Sequence, residues 1–239
     1  MAQKKQVNKG NADQSEKIIQ YVAIGLIVIV AAFFAWPYIA KSLPKKAEVN
    51  TEVASVQSGP VCESFASIPA AKQYSSAPPM KIDQTKQYFA NFKMAKGGEF
   101  TAELYASKAP ITVNSFVFLT CKGFFNGVTF HRVLDGFMAQ GGDPDGTGMG
   151  GPGYQFVNEK SDLTFDKAGV MAMANSGPDT NGSQFFITFG PTQQLNGGYT
   201  IFGQVLQGMD VVNAITRRDP DQSPTFQGDA IQTVTITEK

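Results

Sequence analysis

Residues 130–143 read FHRVLDGFMAQGGD. This stretch places one guanidinium, that of Arg132, and one carboxamide, that of Gln140, close to two large apolar side chains, Phe137 and Met138. These residues lie on a strand-like segment. The mixture suits an apolar pocket that carries a single directed positive charge.

A second segment of the same kind, residues 173–187, reads MANSGPDTNGSQFFI. It contains a strand, a polar turn rich in Gly, Pro and Asn, and a second, apolar strand. The two segments therefore predict neighbouring strands joined by turns that carry polar groups.

The remaining C-terminal part of the chain follows a similar pattern. Two alternating runs at 88–94 and 99–105 flank a Gly-Gly turn and predict a hairpin. An amphipathic helix is predicted from Pro110 to a stop at Gly123, and a second short helix over 209–217. Further strands are predicted at 128–134, 137–141, 170–174, 184–189, 200–205 and 233–237. Many strands and two helices indicate a mainly β domain in the form of a closed antiparallel barrel.

From Gln87 to Glu238 the order and spacing of these motifs resemble the cyclophilin family of peptidyl-prolyl cis-trans isomerases, in a membrane-anchored, bacterial-like form. The resemblance implies eight strands in the barrel, two capping helices and an isomerase that uses no cofactor. Rotation about an X-Pro bond crosses a barrier of about 18–20 kcal/mol and requires no nucleophile. The catalyst needs an apolar site for the proline ring, a donor for the prolyl nitrogen and exclusion of water.

The resemblance also implies roles for individual residues. Arg132 matches the catalytic arginine and Gln140 the glutamine that orients it. The walls of the proline pocket match Phe137, Met138, Phe186 and Leu195. Asn175 and Ala174 match the edge that pairs with the bound peptide. Gln184, Gly146 and Ser176 match the adjacent subsite. His131 should point away from Arg132 and be structural.

Each of these residues also has a plain structural interpretation. An arginine on a strand is usually a solvated residue, aromatic and methionine side chains usually fill a core, and amides often belong to turns. The chain departs from the family pattern at Gln194, where many members carry Trp, and at Tyr199, where many carry His. Tyr199 keeps a ring with a polar tip, so it is expected to line the proline pocket.

Charge and composition exclude several functions. Twenty basic and twenty acidic residues cancel, so no global field draws nucleic acid, and none is expected as a partner. One His and two Cys do not provide the ligands of a zinc site. We expect a monomer without metal or cofactor.

The N-terminal region differs from the rest of the chain. Residues 18–40 carry no charge, and a helix of about twenty such residues spans a bilayer core of about 30 Å. Tyr21 lies near one end of the run and Trp36 and Tyr38 near the other, where interfacial aromatics are expected. We predict a basic tail over 1–17 and a single transmembrane anchor over 18–40, with the domain outside the cytoplasm. A buried core helix and a cleaved signal peptide are the alternatives.

Residues 41–86 lack a sustained period and contain five prolines, which predicts a flexible linker before a domain at 87–239. Cys62 lies in this linker and Cys121 at the end of the first predicted helix. Outside the cytoplasm they could pair, and two unpaired thiols are the alternative.

These observations predict an isomerase that acts on X-Pro bonds in unfolded or flexible polypeptides and assists folding at the membrane. Two other interpretations stay open. The same groove could bind proline-containing peptides or unfolded chains without turnover, or the domain could be a structural docking unit in a cell envelope.

Overall fold

The predicted hairpin is present in the computed structural model, which describes residues 60–239. Strands β1 (Tyr88–Met94) and β2 (Glu99–Leu104) pair antiparallel across the turn. Gly97 and Gly98 have φ angles of 97° and 86°, and a Cβ on Gly98 would lie 3.0 Å from Val211, so the turn requires glycine. Alternate residues of β1 are buried, which explains the period of two in the sequence.

Six further strands complete one antiparallel sheet. They are β3 (Arg132–Leu134), β4 (Met138–Gly141), β5 (Val170–Met173), β6 (Phe185–Thr188), β7 (Ile201–Gln207) and β8 (Ile231–Glu238). The strand order is β3-β4-β6-β5-β7-β2-β1-β8. The mainly β prediction and its eight antiparallel strands are confirmed.

The two edges of this sheet are connected without a continuous ladder. Backbone hydrogen bonds link residues 127–130, which precede β3, to residues 229–231 at the start of β8. The sheet is a half-barrel with bridged edges, whereas the sequence analysis expects a closed barrel.

Within residues 60–239, three α-helices accompany the sheet: α1 (Pro60–Glu63), α2 (Pro110–Cys121) and α3 (Met209–Asn213). Both predicted helices exist, and α3 ends four residues earlier than expected. The predicted amphipathic character of α2 is wrong, because ten of its residues are buried, including the polar Thr112, Asn114 and Ser115. Other parts of the chain cover the polar face of this helix and bond its side chains.

Residues 60–86, called the strap below, provide part of that cover. Val61, Phe65 and Ile82 are buried in the main core, and Lys122 Nζ donates to the carbonyl of Phe65. The prediction of a flexible linker therefore does not hold over 60–86. These contacts are made by single residues of an irregular segment, so they leave no periodic pattern in the sequence.

A disulfide fixes the strap to α2. Cys62 and Cys121 are bonded, with a Cα–Cα distance of 5.3 Å and a sequence separation of 59 residues. Of the two alternatives that the sequence leaves open, the structure contains the paired one.

The predicted tail, anchor and the linker residues 41–59 lie outside the described residues. Within 60–239, none of the helices has the length and apolar character needed to cross a bilayer. The same range contains no group of three or more His, Cys, Asp or Glu side chains that could hold a metal ion.

Candidate active site

A row of four side chains crosses four neighbouring strands. Arg132 on β3 is the direct partner of Gln140 on β4, Gln140 is the partner of Phe186 on β6, and Phe186 is the partner of Ala172 on β5. Directly opposed residues in antiparallel strands point to the same face of a sheet. The ladder therefore places the guanidinium and the Phe186 ring on one face, with the Gln140 amide between them.

An apolar cluster lies on this face beside Arg132. Its floor is buried, with Met138 2% and Phe186 4% exposed. The Phe186 ring stacks on Phe165 at 5.8 Å and meets the Tyr199 ring edge to face at 5.5 Å. Half-buried side chains pack around the floor: Leu134, Phe137, Ala174, Leu195 and Tyr199. The structure thus brings together the predicted pocket residues, with a buried base and an accessible rim suited to a small apolar ring.

The Arg132 side chain has no partner among the residues that the structure describes. It is half-buried, and within residues 60–239 it forms neither an ion pair nor a side-chain hydrogen bond. In contrast, Arg217 donates to Asp135 Oδ1 at 2.9 Å and Arg218 donates to the carbonyls of His131 and Phe226. The guanidinium of Arg132 is therefore available to donate to a molecule bound over the apolar cluster.

Gln140, which the resemblance implies orients Arg132, is hydrogen-bonded to Gln184. Its Nε2 donates to Gln184 Oε1 at 2.9 Å, and it forms no hydrogen bond with Arg132. Gln184 Nε2 in turn donates to the carbonyls of Gly148 and Gly150, at 3.0 and 2.9 Å. Among the described residues, no hydrogen bond from Gln140 orients Arg132, and the two amides instead link β4 to the glycine-rich loop.

Asp143 organises that loop, residues 143–153, and the sequence analysis did not single it out. It is fully buried, and its carboxylate accepts the backbone N–H groups of Asp145, Thr147 and Gly148. Burial alone would raise the pKa of Asp143, but the N–H groups of Asp145, Gly150 and Gly148, with a smaller effect of His131, hold it below its usual value. The available signal was an Asp that begins a run rich in Gly, which is typical of a turn closed by its side chain.

His131 lies under the same loop. It is 2% exposed, and burial lowers its pKa despite the opposing charge of Asp143. This buried position beside Asp143 and Gly148 agrees with the structural role that the resemblance implies.

An open backbone edge borders the apolar cluster. The Ala174 N–H donates to the carbonyl of Gln184 at 3.0 Å, which continues the β5–β6 pairing by one residue. The backbone N–H and C=O of Asn175 form no hydrogen bond within residues 60–239. The Asn175 side chain is fixed between Gly198 O and Gly177 N, at 3.2 Å each. A bound extended peptide can therefore pair with Asn175 as an added strand.

A polar cavity of about 600 Å³ continues from this edge. Gln140, Ala174, Asn175, Ser176 and Gln184 line it, as do Gln73, Asp145 and residues 148–155. The predicted subsite residue Gly146 does not line it. The turn at Asp143 directs Gly146 toward Thr129, whose Oγ1 would lie 3.4 Å from a Cβ at this position. The sequence analysis missed the contribution of Gln73, which lies in the segment interpreted as a linker.

The site thus has three parts: a buried apolar pocket, a guanidinium without a partner within residues 60–239, and an open strand edge. This arrangement suits an extended polypeptide with a small apolar ring. Comparison with known proteins gives the family. Residues 89–238 match the model described as cyclophilin type peptidyl-prolyl cis-trans isomerase/CLD. The chain belongs to the cyclophilin family.

Individual relatives agree with this assignment. The human peptidyl-prolyl cis-trans isomerase-like 1 is 53% identical over 49% of this chain and 74% of its own length. The peptidyl-prolyl cis-trans isomerase A of Mycobacterium tuberculosis is 46% identical over 59% of this chain and 87% of its own. A crystal structure of a Cryptosporidium parvum cyclophilin type isomerase has 33% identity and a TM-score of 0.58, over 64% of this chain and 99% of that one. The domain is a cyclophilin-type peptidyl-prolyl cis-trans isomerase.

Proposed function

We propose that this chain is a membrane-anchored isomerase that accelerates rotation about X-Pro bonds in unfolded or flexible protein segments outside the cytoplasm. The observation that carries the catalytic part is the Arg132 guanidinium, which lies beside the apolar cluster without a partner in the described residues. A solved relative at a TM-score of 0.56 was crystallised in the presence of the dipeptide Ala-Pro, which supports a proline ring as the occupant.

The Arg132 side chain acts on the twisted state of the bond. When the amide rotates out of plane, conjugation is lost and the prolyl nitrogen regains its lone pair, so a donor there lowers the barrier. One charge-assisted hydrogen bond contributes about 1.5–3 kcal/mol, whereas an acceleration of five orders of magnitude needs about 7 kcal/mol. Arg132 therefore supplies only part of the effect.

The pocket and the open edge supply the rest. The buried floor formed by Met138 and Phe186 excludes water from the reacting amide, which strengthens the Arg132 interaction. Pairing along Asn175 holds one side of the peptide while the proline ring is fixed in the pocket. Binding is then tightest when the intervening bond is twisted, and binding energy is converted into rate.

The proposed location rests on two features of the chain. Residues 18–40 form an uncharged run long enough to span a bilayer. The Cys62–Cys121 disulfide fits an oxidising compartment, since cytosolic thiols are kept reduced. Protease treatment of intact cells should therefore degrade the domain, and protection until the membrane is permeabilised would place it on the other side.

Exchange NMR on a short Ala-Pro peptide tests the catalytic proposal. The full-length protein in detergent should broaden and merge the cis and trans resonances, and Arg132→Ala should lower the catalysed exchange rate roughly 10-fold to 150-fold. Arg217→Ala is the matched control, because that guanidinium is already bonded to Asp135, and it should behave as wild type. Peptide binding by the wild type without acceleration would support a binding module instead.

A further inference from the structure

We propose that two strap residues, Gln73 and Tyr74, determine which extended substrates the isomerase accepts. Gln73 supplies part of the wall of the polar cavity, and Tyr74 holds the loop that forms another part. The strap precedes the residues 89–238 that the family model matches, so this contribution is an addition to the common fold. The inference rests on the proposed binding of substrate along Asn175.

The strap is fixed where it passes the cavity. The Tyr74 ring packs edge to face on Phe118 of α2, with centroids 4.8 Å apart, and the Ala71 N–H donates to the Tyr74 hydroxyl at 3.0 Å. The Cys62–Cys121 bond attaches the start of the strap to the end of the same helix. Gln73 is therefore presented to the cavity from a rigid support.

Tyr74 also contacts the glycine-rich loop through its backbone. Its N–H donates to the carbonyl of Pro152 at 2.7 Å. A Cβ on Gly153 would lie 2.5 Å from the Tyr74 carbonyl oxygen and 2.9 Å from its nitrogen. The two backbones meet so closely that only glycine fits.

The same loop contacts the active-site amides. Gly148 and Gly150 accept hydrogen bonds from Gln184, which accepts one from Gln140 beside Arg132. A shift of the strap at Tyr74 would thus move the cavity wall and the carbonyls that anchor Gln184. None of these hydrogen bonds involves the residues of the proline pocket, Phe137, Met138 and Phe186.

The chemistry of the cavity indicates its ligand. Most lining groups are amides, hydroxyls and backbone groups, and Asp145 is the only Asp, Glu, Lys, Arg or His among the described lining residues. Ala174 both packs on the apolar cluster and lines the cavity, so the cavity receives a substrate residue close to the X-Pro pair. A long side chain rich in donors, that of Lys or Arg, fits this lining better than a carboxylate.

The test compares a blocked Ala-Pro dipeptide with longer peptides that carry Lys or Glu beside the X-Pro pair. For Gln73→Ala we expect kcat/KM on the Lys peptide to fall about twofold to tenfold, the range for one hydrogen bond, through KM. The dipeptide should be turned over as by wild type. Gln73→Lys should reverse the preference for the Lys peptide over the Glu peptide.

Gly153→Ala provides an independent variant, because the added methyl group must displace Tyr74. Its matched control is Gly127→Ala, at a glycine with a similar φ of 79° but nothing within 4 Å of a Cβ. The Gly153 variant should lose selectivity between long peptides, whereas the Gly127 variant should keep it.

Affinities of the same peptides, measured calorimetrically, separate the two levels of inference. Equal changes on the dipeptide and on the long peptides, or no change in either turnover or affinity for the Gln73 variants, would overturn the role of the strap. Absence of turnover by the wild type, with affinities that still depend on Gln73, would contradict the isomerase proposal and leave the role of the strap supported.

Discussion

Two regions of the molecule differ in how their polar groups are hydrogen-bonded. One is the face of the sheet that carries Arg132, and the other is the surface of α2 under the strap. On α2, the Asn114 amide accepts from the N–H groups of Lys81 and Ile82, and Thr112 is bonded to Glu159. On the Arg132 face, the guanidinium and the backbone of Asn175 have no partner within residues 60–239. In the first region Asn114 and Thr112 are bonded within the folded chain, whereas in the second region the donors are available to a bound peptide.

This difference separates stability from function. Buried polar groups that are bonded contribute to the native state, whereas donors without partners near an apolar pocket are available for a ligand. Changes under the strap should therefore lower stability, and changes on the Arg132 face should lower activity. The following predictions test that separation, starting with the largest expected effect.

Removal of the disulfide should have the largest effect on stability. A cross-link that closes a loop of this length stabilises the fold by about 4 kcal/mol on the chain-entropy estimate. The double variant Cys62→Ser, Cys121→Ser should lose about that much in urea unfolding. Its turnover of an Ala-Pro dipeptide should match wild type at temperatures where it is folded. A large loss of dipeptide turnover would contradict the separation of stability from activity.

Substitution of Arg132 should affect activity alone. Loss of one charge-assisted hydrogen bond of about 1.5–3 kcal/mol corresponds to a fall of roughly 10-fold to 150-fold in kcat/KM for Arg132→Ala. The free energy of unfolding should stay within about 0.5 kcal/mol of the wild-type value, because no side-chain bond in the described residues is lost. Arg132→Lys keeps the charge without the planar donor group and should recover only part of the rate.

Asn114→Ala should produce the reverse result. The change leaves the buried N–H of Ile82 without its acceptor, at a cost of about 1–3 kcal/mol in urea unfolding. Asn126→Ala, at an exposed asparagine that follows α2, is the control and should be nearly neutral. Dipeptide turnover should be unchanged in both variants, and a loss in the Asn114 variant alone would show that the two regions are coupled.

The smallest effect should be a dependence of stability on pH that originates at His131. Burial lowers the folded-state pKa of this group below its ordinary value of 6.5, so the unfolded chain takes up a proton first as the pH falls. Stability should be complete above pH 6.5 and decline as the pH falls from there toward the folded-state pKa. His131 is the single histidine of the chain, so His131→Gln should flatten this part of the curve. An unchanged slope would assign the dependence to other groups.

Much of the fold could be predicted because local chemistry determines it. The Gly97–Gly98 turn, the alternation in β1 and β2 and the Pro at the start of α2 each have a direct physical reading. Arg132 and the pocket residues were identified through their order along the chain, by resemblance to a family. From residue types alone they could not be distinguished from surface and core positions.

The remaining features depend on contacts between distant segments. Nothing local shows that Phe65 and Ile82 pack on the core, that Gln140 bonds Gln184, or that Gly146 turns away from the cavity. The buried polar face of α2 follows from the strap, so an error in the strap produced the error in the helix. Each of these features is fixed by tertiary packing, and their sequence signals are single residues.

Amide hydrogen exchange with and without a saturating X-Pro peptide tests the contrast between the two regions most directly. In the unbound protein, the backbone N–H of Asn175 should exchange fast. The backbone N–H groups of Lys81 and Ile82, which are bonded to the Asn114 side chain, should be protected. Peptide at about ten times its Kd should slow exchange at Asn175 about tenfold and leave Lys81 and Ile82 unchanged. An Asn175 amide that is protected without peptide, or that exchanges equally fast with it, would contradict the account.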